Sequence, residues 1–407
     1  MKTKRRAILA AGAAWGALPV LGRAQAAGTI RLGISTDMAG PYGDLAGAGS
    51  VAGVRQAVQD AASLGLKVEI VSGDHQNRPD VAANLARQWF DRDGVDAIVD
   101  VPGSSAGLAV AGIAREKNKV FLASAPGTVD LTGTQCSPNT VHWTYDTWML
   151  ANSTGGALVR AGGDSWYFIT VDYAFGHSVE AETTRFVQAA GGRVLGSSRF
   201  PFPGTTDFSA FLLRAQASRA KVVALGCGGA DMINAVKQAA EFGLARRGQR
   251  VAALLMFISD VHALGLGAAQ GSVCSETFYW DMNDRTRAFS ARMRANHGIG
   301  APTMVHAGCY ASVLHYLKAA ADMGVAAAKA DGAAAVARMK AMPVDDDAFG
   351  QGRIRADGRK LHPAYLFEVK APAESRGPYD YYKLLETTPA EQAFRPEAEG
   401  NCPLVRS

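Results

Sequence analysis

The chain has 407 residues, 48% hydrophobic and 19% charged, a globular composition that excludes a disordered polymer. Its formal charge of +5 includes Lys2, Lys4, Arg5 and Arg6, with Arg23 a fifth cation, so the remainder is near neutral. No basic stripe interleaved with aromatics remains for nucleic acid, and no later stretch reaches the roughly 18 uninterrupted apolar residues of a membrane span.

Lys2, Lys4, Arg5 and Arg6, an apolar run over 7–21, and Ala24-Gln25-Ala26 follow the charged, apolar, small-residue order of an export signal. Cleavage is expected after about Ala26, placing the mature protein in the periplasm. Arg5-Arg6 before Ala7-Ile8-Leu9 is also similar to a twin-arginine signal, with Lys4 where that pattern prefers Ser or Thr. An ordinary N-terminal helix is the alternative. The roughly 380 residues that follow exceed what one core organises, so two lobes are expected.

From residue 30 onward, short β-branched runs alternate with Ala-rich amphipathic ones. Segments 30–35, 67–72, 97–101 and 120–123 read as strands, and 48–64, 80–93 and 105–117 as helices. Continuous apolarity in Ala97-Ile98-Val99 fits a parallel strand covered on both faces, and the alternation predicts an α/β fold. The rhythm restarts after His142-Trp143-Thr144-Tyr145-Asp146, with strands over 166–171, 194–199, 222–226 and 252–257. Helices over 175–190, 207–217 and 231–242 fall between them. A strand over 273–278 leads into helices over 286–297 and 305–323, and 350–357 with 365–370 reads as a strand pair around a turn at Gly358. Beyond Lys370, Pro372, Pro378, Pro389, Pro396 and Pro403 predict an irregular tail wrapping the surface.

Cys136, Cys227, Cys274, Cys309 and Cys402 are odd in number, so at least one thiol lies outside any intramolecular bridge, and spacing does not choose the pairing. There is no Cys-x-x-Cys, and no Cys follows the signal where a lipid anchor would need one. The eight histidines include no His-x-x-x-His, and neither a metal nor a cofactor is expected.

Gly103-Ser104-Ser105-Ala106-Gly107 matches the nucleophile-elbow pattern between a predicted strand and helix, with Asp260 and His262 downstream in triad order. A chain with 45 glycines makes such a match by chance, and no oxyanion segment precedes it. The same N–H groups and hydroxyls at a helix N-terminus form a carboxylate site, which is the favoured reading; a plain N-cap is the third. Gly226-Cys227-Gly228-Gly229-Ala230-Asp231 has Asp231 where a dinucleotide fingerprint needs its third glycine, leaving close backbone approach to a ligand or simple packing. Tyr42, Trp143, Tyr145, Tyr173, Phe175 and Phe257 cluster at strand-to-loop junctions, where open α/β sheets bind ligands; core packing is the alternative for each.

Together these segments resemble the type I periplasmic solute-binding proteins of ABC importers, in the leucine/isoleucine/valine-binding branch. The resemblance rests on Ile30-Arg31-Leu32-Gly33-Ile34, Ala39-Gly40-Pro41-Tyr42-Gly43-Asp44, Gly103-Ser104-Ser105, Ser124-Ala125-Pro126-Gly127-Thr128 with Leu131-Thr132, Asp172-Tyr173-Ala174-Phe175-Gly176, and Asp207-Phe208-Ser209. It implies two doubly wound α/β lobes joined by three hinge crossings, closing on solute. The first lobe would hold 28–144 and 281–356, the second 145–280 and 357–407. Ser104, Ser105, Ala125 and Thr128 would bind a solute carboxylate, Tyr42 would cover one side, Tyr173 or Phe175 would close from the second lobe, and Tyr145 and Gly228 would also contact the solute. Asp260 would meet an α-ammonium. Gly228-Gly229 stands near a tyrosine pair of branched-chain binders, leaving room for a larger solute, so an aromatic carboxylate is expected beside branched-chain or other amino acids. Asn77 and Gly103 stand where an early disulfide of those relatives has its cysteines. The expected partner is an ABC permease and the expected state a monomer. The rival is a secreted serine hydrolase using Ser105; a third reading is a ligand-sensing receptor module.

Overall fold

The computed structural model describes residues 28–405; the expected export signal lies outside them. Two sheets organise the chain. The first lobe runs β1 (Ile30–Thr36), α1 (Gly47–Asp60), β2 (Val68–Asp74), α2 (Pro79–Asp91), β3 (Ala97–Asp100), α3 (Ser104–Glu116), β4 (Val120–Ala123) and β5 (Thr140–His142). Its strands lie parallel in the order β2-β1-β3-β4-β5. All four residues of β3 are buried. Because strand side chains alternate between faces, Ala97 and Val99 join one core with α1, whereas Ile98 joins Trp89, Phe90 and Val110 beneath α2 and α3.

The second lobe repeats the plan with α4 (Thr147–Arg160), β6 (Ser165–Val171), α5 (Ala174–Ala189), β7 (Arg193–Phe200), α6 (Ser209–Ser218), β8 (Val222–Gly226) and α7 (Gly229–Glu241). It continues with β9 (Arg250–Ala253), α8 (Ile258–Leu264), α9 (Leu266–Ala269) and β10 (Val273–Glu276). The chain then returns to the first lobe as α10 (Asp284–His297), α11 (Met304–Met323), α12 (Val325–Ala330) and α13 (Gly332–Ala341). A small antiparallel sheet, β11 (Val344–Asp346), β12 (Gly350–Ile354) and β13 (Lys360–Leu361), precedes β14 (Ala364–Val369) and β15 (Tyr382–Thr388). The second large sheet has the order β15-β14-β10-β9-β8-β6-β7, antiparallel only at β14 and β15. Each lobe therefore has the doubly wound 2-1-3-4-5 order, whose switch point lies between its first and third strands.

Several elements depart from expectation. The predicted pair 350–357 and 365–370 does not pair with itself: β12 turns at Gly358 into β13, while β14 joins the second sheet. The tail is not irregular throughout, since β15 forms an edge strand whose exposed stretch Lys383–Thr387 carries no apolar alternation. The strand expected over 252–257 ends at Ala253. Helix α4 went unrecognised because Asn152-Ser153-Thr154-Gly155-Gly156 are poor helix formers; burial of ten of its residues and an Asp146 cap on the Met149 N–H (2.8 Å) hold it.

The resemblance puts the first and third crossings near 143–146 and 354–362, and these two segments lie side by side. Arg359, 0% exposed, pairs with Asp146 at 3.4 Å, and His362 Nε2 lies 2.9 Å from the Trp143 carbonyl. The tail covers them: Asn152 donates to the Gln392 carbonyl (2.8 Å), Phe394 stacks on Arg359, and Cys402 is disulfide-bonded to Cys136 in the first lobe. Thus the end of the segment expected wholly in the second lobe is fastened to the first. Cys227, Cys274 and Cys309 are buried thiols. Among the described residues no helix is long and apolar enough to cross a membrane.

Candidate functional site

The loops leaving both switch points meet across the cleft. After β1, buried Asp37 accepts from the N–H groups of Gly40 (2.7 Å) and Tyr42 (2.8 Å) and from Asn77. This turn carries Tyr42 over the cleft. After β3, Asp100 and Val101 take φ of +81° and +65°, a strained conformation for a β-branched residue. Thr36 Oγ1 donates to Asp100 at 2.8 Å and the Val101 N–H to the Ser35 carbonyl at 2.9 Å. The sharp turn thereby aims the N-terminus of α3, with Ser104 as its first residue, at the cleft.

These residues line a tight cavity between the lobes, with about 10 Å³ of water-accessible volume. The first lobe supplies Tyr42, Leu45, Pro102, Gly103, Ser104, Ala125 and Gly127; Tyr145 comes from the crossing, and Tyr173, Phe175 and Leu255 from the second lobe. Ser104 Oγ accepts from the Thr128 N–H at 3.1 Å, and Tyr145 donates to the Ala125 carbonyl. A Cβ on Gly127 would lie 2.9 Å from the Tyr145 ring and 3.0 Å from Phe175, so only glycine lets both rings close. The Tyr42 and Tyr173 hydroxyls meet at 2.7 Å across the lobes, and burial raises both phenols above their ordinary range.

No Asp, Glu, Lys, Arg or His lines this cavity. Its polar equipment is hydroxyls and the first N–H groups of α3, which lack intrahelical acceptors. That arrangement suits a carboxylate with an apolar or aromatic body.

Of the ten expected site residues, Tyr42, Ser104, Ala125, Tyr145, Tyr173 and Phe175 line the cavity. Ser105 lies outside it, on a neighbouring groove with Asn77, Arg78, Tyr173 and Phe202. Thr128 is buried beside the cavity, its hydroxyl accepting from the Asp130 N–H. Gly228 caps α7. Asp260, 0% exposed, accepts from the Phe257 N–H at 3.0 Å through Oδ2, while Oδ1 has no partner. Burial pushes its carboxyl from 3.8 up to about 7; Asp231, with an unpartnered Oδ2, is raised likewise to about 7. The sequence reading missed Leu45, Pro102, Gly127 and Leu255; Gly127 stood between two residues it named, but a glycine offers no side chain to argue from.

The triad arrangement is not assembled. Ser105 and His262 line different grooves, and His262 Nδ1 lies 2.8 Å from the Tyr381 hydroxyl. Among the described residues no cluster of three or more His, Cys, Asp or Glu could hold a metal.

A closed cleft between two like α/β lobes, polar only through hydroxyls and helix N–H groups, defines a two-lobed solute receptor. The chain belongs to the periplasmic binding protein family, whose model matches residues 29–377, and within it to the leucine/isoleucine/valine-binding type. A periplasmic binding protein from Burkholderia mallei is 43% identical, with a TM-score of 0.88 over 93% of this chain and 99% of that one. A branched-chain amino acid ABC transporter periplasmic ligand-binding protein from Burkholderia xenovorans LB400 is 39% identical, with a TM-score of 0.81 over 92% and 99%. A solute-binding protein of an ABC transporter from Rhodopseudomonas palustris, solved with benzoate, shares the fold at 20% identity and a TM-score of 0.79, over 89% and 97%. No curated protein matches the chain.

Proposed function

We propose that this protein captures a small carboxylate solute in the periplasm by closure of its two lobes and delivers it to the membrane permease of an ABC importer. The observation that carries the reading is the aromatic-walled cavity between the lobes that ends on the α3 N-terminus and Ser104, with no Asp, Glu, Lys, Arg or His in its walls. Two solute classes suit it. An aromatic carboxylate needs only the anion site and the ring walls. An amino acid also needs a partner for its ammonium; Asp260, whose Oδ1 is unpartnered, lies behind the cavity wall and would have to be uncovered to serve.

Thermal-shift titration with leucine, isoleucine, valine, benzoate and 4-hydroxybenzoate tests the proposal. A ligand at 100 times its Kd adds about 2.7 kcal/mol of stability. Absence of any shift across the panel, with fluorophosphonate labelling at Ser105 and ester turnover, overturns it in favour of a hydrolase. Asp260→Asn is expected to abolish amino-acid binding and spare the benzoates; equal survival of both classes removes Asp260 from the site.

A further inference from the structure

Beside the cavity lies a second set of contacts between the lobes, which reaches the solute space only through the Tyr42 ring. The N-terminus of α7 abuts the Pro41-Tyr42 turn, and the Ala230 N–H donates to the Pro41 carbonyl at 2.9 Å. Gly229 has φ +58°, and a Cβ there would lie 2.1 Å from the Pro41 oxygen and 3.0 Å from the Tyr42 ring. Neither Pro41, Gly229 nor Ala230 lines the cavity. Next to them the Tyr42 ring stacks on Phe202 of the second lobe, 5.5 Å between centroids at 19°.

We infer that these groups form a latch: the α7 N-terminus grips the Pro41 carbonyl, Gly229 is the residue that lets the cleft shut, and the latch forms without solute. The inference rests on the reading of the cleft as one that opens and closes. Any side chain at position 229 meets backbone rather than a movable side-chain end, so the lobes must part to make room. Position 229 also demands a left-handed backbone that other residues resist. Because every latch contact is protein-to-protein, the shut state has favourable interactions of its own, and solute shifts an equilibrium already populated on both sides.

The test places spin labels on Arg87→Cys in α2 and Arg214→Cys in α6, exposed positions on opposite lobes, and reads their distance distribution by double electron–electron resonance. Without solute, the parent protein is expected to show a resolved short-distance component. Gly229→Ala is expected to remove it. Ala230→Pro, which deletes the N–H donor in the first turn of α7, where that group has no intrahelical acceptor, is expected to do the same, with circular dichroism confirming that both variants fold. A short component that persists unchanged in both variants overturns the latch, as does its absence from the solute-free parent. Growth of that component on adding benzoate or leucine reports on solute capture and is scored separately, so the capture reading can fail while the latch stands.

Discussion

Ser104 joins two jobs in one oxygen. Its Oγ accepts from the Thr128 N–H, tying the β4 loop to the start of α3, and it faces the cavity where a carboxylate would sit. Ser104→Ala removes that oxygen and leaves the Thr128 N–H unpaired in a buried place. One hydrogen bond to a charged group contributes about 1.5–3 kcal/mol, so affinity for the bound carboxylate is expected to fall by roughly 10–100-fold. Isothermal titration calorimetry reads this directly; an unchanged Kd removes Ser104 from the anion site. Asp260 carries a different signature. Its folded carboxyl titrates near 7 against an ordinary 3.8 because burial disfavours the charge. The folded state therefore holds a proton that the unfolded state has released. The associated stability is fully present below about pH 4 and is lost as pH rises through about 7. Asp260→Asn has no proton to lose and is expected to flatten the fall in melting temperature between pH 5 and pH 8, by the order of 2 kcal/mol. Asp231, raised in the same direction, keeps a residual slope in the variant. Parallel pH profiles for parent and variant would mean that Asp260 keeps its charge.

The start of α4 ties the two crossings together. Asp146 caps it and is the charge partner of Arg359, a guanidinium held between the crossings that also donates to the Lys360 carbonyl at 3.0 Å. Burial raises the Asp146 carboxyl while Arg359 opposes the rise. Removing one member of a buried pair strands the other, so Asp146→Ala is expected to cost about 3–5 kcal/mol by urea unfolding; a loss near 1 kcal/mol would mean the cap alone matters. Nothing in the local sequence announced this helix, because its strength comes from burial against the second sheet and its glycines are there for packing. The same contrast explains what was legible elsewhere. Strands β1, β3, β4, β6 and β8 are apolar runs whose pattern is set by burial on both faces, and the sequence marks them clearly. Strand β15 sits at a sheet edge with its residues in solvent, so its pairing leaves no hydrophobic trace. In the site, the aromatics at strand ends and Ser104 could be read from residue type. Gly127 and Leu255 could not, because their place depends on which loops the two lobes bring together.

At the scale of the molecule, the Cys136–Cys402 bridge closes a loop of 266 residues in sequence separation. In the chain-entropy view long loops gain most from closure, so Cys402→Ser is expected to lower stability by roughly 2–5 kcal/mol, measured as a fall in melting temperature without reductant. An unchanged melting temperature would mean that the tail frays without disturbing either core. The bridge also bears on motion. Gln392 rests on α4 in the second lobe and Cys402 is welded to the first, so a ribbon of about ten residues joins the two halves. It runs over the crossings themselves, where Phe394 stacks on Arg359. The weld therefore braces the pivot about which the jaws turn and leaves the solute's entrance, on the far side, untethered.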